Sequence, residues 1–131
     1  MGIINTMSDF ISGSHNQSRG IYILNELQAT YNVLKSMDRN VANDILARYR
    51  HKRTYLLNDI NSSYWDSEKG IKVAKQLQRD AKNIHVTDLS EAYSLWLTGA
   101  WIESLARDSE ATSAALELLN ELADYTDITN L

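Results

Sequence analysis

The chain has 131 residues, a net charge of −4, no Cys and no Pro. A chain of this length buries roughly two thirds of its unfolded surface in one core, so it needs neither metal nor disulfide to fold. Without Cys there is no disulfide framework, thiolate zinc site, iron–sulfur cluster or cysteine nucleophile; this fits a reducing compartment, and a cytoplasmic location is expected.

At the N-terminus the first Lys or Arg is Arg19, and the longest mostly apolar run, residues 92–102, is shorter than a bilayer span. Neither export nor membrane crossing is expected. Ile3, Ile4, Met7, Phe10 and Ile11 sit at helical spacing, so residues 1–17 read as an amphipathic segment and loop that docks on the domain, on a partner or on a membrane surface. "MGIINT" also has the Gly2 and Thr6 spacing of an N-myristoylation signal. "SGSHNQSRG", residues 12–20, reads as a loop, and residues 18–131 as one helical bundle domain.

With five Gly and no Pro, few breakers interrupt the chain, and they fall between periodic apolar runs. Ile21, Leu24, Leu27, Tyr31 and Leu34 mark a first long helix that stops near "SMDRN". Ala42, Ile45, Tyr49, Leu56 and Ile60 mark a second, ending at "NSSYWD". Asp66 or Ser67 caps a third, whose stripe is Val73, Ala74, Leu77, Ala81 and Ile84. Thr87 opens a fourth and Ser109 a fifth. The expected fold class is all-α: a single-domain helical bundle of four main helices plus a short N-terminal amphipathic helix.

The fourth helix is apolar over more than half its circumference, which places it centrally or between the core and a second subunit. Gly99, with Ala92, Ala100 and Ala106, suits a close helix crossing at its middle. Trp96 and Trp101 point about 140° apart on a helical wheel, so one of them is expected to reach an interface. Glu103 is a carboxylate embedded in this apolar helix. Arg53 lies inside the second stripe, where a guanidinium either snorkels or meets an acid, and Glu103 is its expected partner in a structural ion pair.

"RYRHKR", residues 48–53, looks like a nucleic-acid patch as a string, but on the wheel its cations encircle the helix, so nucleic acid is not an expected partner. The third helix differs: Lys72, Lys75, Arg79 and Lys82 fall within about 80° opposite Leu77. On the fifth helix Glu110, Glu117 and Asp124 gather on the outer face. Residues 1–83 carry a net charge of +4 and residues 84–131 one of −8. Such segregation orients a homodimer or draws a charged partner. Lys72, Lys75, Arg79, Lys82, Trp96, Trp101, Glu110, Glu117 and Asp124 are therefore the candidate interaction residues.

"RDAKNIH", residues 79–85, resembles the Arg, polar residue and His pattern of the helical HEPN family, many of whose members are ribonucleases. Arg79, Asp80 and His85 occupy the matching places, and the resemblance, which covers seven residues, implies RNA cleavage by Arg79 and His85. On a continuous helix, however, Arg79 points opposite Leu77 and His85 lies about 120° away from Arg79, whereas joint action on a phosphate needs the two side chains to converge. The three His have no partner at zinc spacing, no glycine-rich phosphate loop occurs, and no Ser or Thr sits in a nucleophile elbow. No cofactor or metal is expected. The expected function is a small non-enzymatic protein–protein interaction module that self-associates.

Overall fold

The computed structural model describes residues 13–59 and 67–131, which form an all-α bundle. Its helices are α1 (Gly13–Ser36), α2 (Arg39–Asp59), α3 (Ser67–Ile84), α4 (Leu89–Ala106) and α5 (Glu110–Asp124), followed by a 3-10 turn, Ile128–Asn130. The described residues hold five long helices, one for each of the five periodic runs in the sequence and one more than the four main helices expected. The N-terminal stripe through Phe10, the myristoylation-type spacing, Ile60 and Asp66 lie outside the described residues.

α1 begins inside the stretch expected to be a loop. "SGSHNQSRG" has no apolar period, but its Gly20 faces the start of α5 so closely that a Cβ there would lie 2.7 Å from the Ser109 hydroxyl and 3.1 Å from Ala111 Cβ. The glycine serves a helix contact and not a break. The buried face of α1 is also rotated from the expected stripe: Ile23, Leu27, Thr30 and Leu34 point inward, while Ile21, expected in the stripe, is 46% exposed. Leu24 and Tyr31 sit at the stripe's edge, and the Tyr31 hydroxyl donates to the Leu118 carbonyl at 2.9 Å.

Helix starts follow from short polar side chains that take up the first free N–H groups. Asp38 accepts from the Asn40 and Val41 amides ahead of α2. Asp88, and not Thr87, is the N-cap of α4 and accepts from the Glu91 amide at 3.0 Å; Thr87 sits in the preceding turn and donates its hydroxyl to the Ile84 carbonyl. Ser109 caps α5 in a reciprocal capping box with Thr112.

α4 is the centre of the bundle, as its wide apolar surface implies. It packs against α3, α2 and α5, and residues 97–104 are all buried. The α3 crossing is tightest at Gly99, where an added Cβ would stand 3.1 Å from the Ala74 carbonyl oxygen and 3.1 Å from Gln78 Cγ. α2 closes the opposite side with Ala42, Ile45, Leu46 and Tyr49, and the Tyr49 hydroxyl donates to the Leu119 carbonyl at 2.9 Å. α1 lies mainly on α5. The 3-10 turn folds back onto α2, where Asn43 accepts from the Ile128 amide and Arg39 pairs with Asp127.

The basic string on α2 disperses as its wheel predicts. Arg48 and Lys52 both reach Glu91 on α4, at 3.0 and 2.9 Å, Arg50 donates to the Tyr125 carbonyl, and His51 faces outward. Burial pushes the Glu91 carboxyl up, but the hydrogen bonds from Lys52 and Arg48 outweigh it and hold the group below its ordinary range. Arg53 does not meet Glu103. Its guanidinium stacks over the Trp101 ring at 4.6 Å and the Tyr49 ring at 5.6 Å and donates to the Leu119 carbonyl, an arrangement in which π faces and a carbonyl replace the expected carboxylate.

Candidate binding groove

α1 and α3 make almost no direct contact: α3 packs along α4 while α1 is carried mainly by α5, and the space between them, over α4, is a trough. One wall is a single face of α1, with Arg19, Tyr22, Glu26, Thr30 and Val33 at helical spacing. The other is the C-terminal half of α3, with Gln78, Ala81 and Lys82, continued by His85 just beyond the helix end. Ala92, Tyr93 and Trp96 of α4 form the floor. The trough encloses about 620 Å³. From Arg19 to Val33 the wall runs about 21 Å at 1.5 Å per residue.

At the Arg19 end the trough adjoins a second cleft of about 410 Å³, lined by Arg19, Lys75, Gln78, Arg79, Lys82 and Arg107. Arg19, Gln78 and Lys82 line both depressions, so the two adjoin across these side chains. Beneath this junction lies Glu103, a fully buried carboxylate. It accepts from Arg19 Nε at 2.7 Å and Nη2 at 3.0 Å, from Arg107 Nε at 2.7 Å and from Gln78 Nε2 at 2.9 Å. Burial alone would push this carboxyl up; the bonds from Arg19, Gln78 and Arg107 reverse that and hold it at about 2. The same contact raises the Arg19 guanidinium, through its hydrogen bond to Glu103. Glu103 thus fixes two guanidinium groups at the mouth of the cleft. Arg19, 30% exposed, also lies 4.8 Å above the Tyr22 ring.

Of the residues singled out in the sequence, Lys75, Arg79 and Lys82 come together in the cleft and Trp96 lies in the trough. Lys72 is exposed on the same helix but outside both depressions. Trp101 is corrected: at 2% exposure it belongs to the core under Arg53, because its direction on α4 faces α2 and not solvent. Glu110, Glu117 and Asp124 are exposed on α5 and line neither depression. Arg79 and His85 do not share a depression. α3 stays regular to Ile84, Arg79 lines the cleft and donates to Gln76 at 2.8 Å, and His85 lines the trough edge-on to Tyr93 with ring centroids 6.5 Å apart.

Sequence reasoning missed Arg19, Tyr22 and Arg107. The first two fall in or beside the stretch read as loop, and Arg107 follows Glu103 by four residues, a spacing that brings the two together on a helix. Among the described residues no cluster of His, Asp or Glu suits a metal ion, and no helix is long and apolar enough to cross a membrane. The fold and the groove define a helical bundle with a surface trough ending in a basic cleft. Compared with known proteins, the chain matches no family model, no curated protein and no solved structure.

Proposed function

We propose that this protein is a non-enzymatic helical interaction module, a small adaptor, regulator or accessory subunit of the cytoplasm, that receives a segment of another protein in the trough between α1 and α3. The observation that carries the reading is the trough itself: α1 and α3 stand apart over α4 and leave Tyr22, Tyr93 and Trp96 lining the open space. Aromatic residues set in a concave surface are the usual anchors of protein interfaces. The ribonuclease alternative is disfavoured because Arg79 and His85 line separate depressions.

A photo-reactive benzoylphenylalanine placed at Tyr22 in the native cell is expected to cross-link a protein partner, whereas the same group at the exposed Thr54 of α2 is not. Equal labelling from both positions, or none from Tyr22, would count against the module. RNA cleavage by the pure protein that is lost in Arg79→Ala or His85→Ala would replace it with the enzyme. Self-association is a second reading, favoured by the opposite charges exposed on α3 (Lys72, Lys75, Arg79, Lys82) and on α5 (Glu110, Glu117, Asp124). Light scattering that returns a monomer mass at every concentration would remove it.

A further inference from the structure

We infer that the trough takes an amphipathic α-helix of a separate protein whose apolar face lies on Tyr22, Tyr93 and Trp96 and whose acidic residues cluster at one end, against the basic cleft. The inference rests on the trough being a binding site and adds the chemistry of its occupant. Three features carry it. First, a space bounded by two helices and floored by a third is the seat of a helix in a bundle, and the wall length of about 21 Å accommodates roughly fourteen helical residues. Second, no strand occurs among the described residues, so no sheet edge is offered to an extended peptide. Third, positive charge is concentrated toward one end. Arg19, Lys75, Arg79, Lys82 and Arg107 surround the cleft, and Glu103 lies buried beneath them, where it orients Arg19 and Arg107 without screening the three exposed cations from outside.

Glu26 sharpens the specificity. It stands exposed on the α1 wall, beyond Tyr22 from the cleft, and would repel a carboxylate in the middle of the bound helix. The occupant that fits therefore has an uncharged or basic middle and carboxylates gathered in one terminal turn.

The test uses the full-length protein and two designed sixteen-residue helical peptides with Leu or Phe at every third or fourth position. One carries three Glu in its last turn, and its twin carries three Lys there. By fluorescence anisotropy the Glu peptide is expected to bind at least tenfold more tightly than the Lys peptide, and to weaken several-fold between 50 and 300 mM salt. Lys75→Glu with Lys82→Glu, both exposed positions whose folding is checked by circular dichroism, is expected to reverse the ranking. Equal binding of the two peptides, or binding of neither at millimolar concentration, overturns the inference. So does a tenfold gain in affinity on Phe10→Asp, which would assign the trough to the chain's own first residues, or a dimer mass abolished by Trp96→Glu, which would assign it to a second copy. Cross-linking from Tyr22 together with peptide failure discards the acidic helix and leaves the interaction module standing.

Discussion

Glu103→Gln isolates the group on which the basic cleft is built. The carboxylate is fully buried and answers two guanidinium groups, of which Arg107 is 7% exposed and Arg19 is 30% exposed. Glutamine keeps the shape but removes the carboxylate charge that Arg107 Nε meets at 2.7 Å, and taking one partner from a buried pair costs about 3 to 5 kcal/mol. Arg19 relaxes toward water, which puts the expected cost at the lower end. Linkage gives a similar figure by a separate route. The carboxyl is held at about 2 against an ordinary 4.5, and at about 1.4 kcal/mol per tenfold change in proton affinity this corresponds to about 3 kcal/mol. Because the folded state lowers the affinity for protons, this stability is present above pH 4.5 and is lost as the pH falls toward 2. About 2 of the 3 kcal/mol should be gone by pH 3. Urea unfolding of both proteins at pH 7 and pH 3 reads the effect directly. The wild-type advantage should be about 3 kcal/mol at pH 7, roughly 10 °C in Tm, and about 1 kcal/mol at pH 3. An advantage that is absent at pH 7, or that persists undiminished at pH 3, refutes the reasoning.

Three further outcomes follow from the packing. Gly20→Ala should destabilise by about 1 to 2 kcal/mol, because its Cβ meets the Ser109 hydroxyl at 2.7 Å and displaces the α5 cap; in a Ser109→Ala background the cost of the same change should fall, and strict additivity in thermal unfolding would contradict the contact. Arg53→Met, which removes the stacked cation over Trp101, should cost about 1 kcal/mol and leave the acid sensitivity of stability unchanged, whereas Arg19→Met should flatten it; the reverse pattern in urea midpoints would restore Arg53 as the partner of Glu103. Ser104→Ala should stabilise by about 1 kcal/mol, since the buried Ser104 hydroxyl has no hydrogen-bond partner among the described residues, and a clear loss of stability would show that the hydroxyl is engaged.

The parts of the structure that rest on periodicity were readable without coordinates. The amphipathic stripe of α3 fixes both its buried alanines and its exposed lysines, and the nearly uniform apolarity of α4 leads to its central position. Ser109 was legible as a cap because a short hydroxyl side chain ahead of a periodic run has a defined job. What failed was local reading of residues whose role is tertiary. Gly20 and Arg19 sit in a polar, aperiodic stretch, so that segment resembles a loop; their helix is stabilised by contacts to α5 and α4 that no window of sequence contains. The Glu103 pairing failed for the same reason. An embedded carboxylate announces that it needs a cation, but seven Arg compete for it, and its partners are Arg107, one turn on at the end of the same helix, and Arg19 of α1 rather than the expected Arg53. The trough was beyond reach because it is a gap between helices, set by α1 resting on α5 and α3 on α4 and not by either one's own pattern.

The tryptophan indole resonances offer the most direct measurement. Trp96 floors the trough, while Trp101 is sealed in the core beneath Arg53, so the two report on opposite sides of α4. On addition of the Glu-terminated helical peptide, the Trp96 indole N–H should shift progressively and saturate, and that of Trp101 should stay in place. If both signals hold still at saturating peptide, or if Trp101 moves and Trp96 does not, the trough is not where this protein meets its partner.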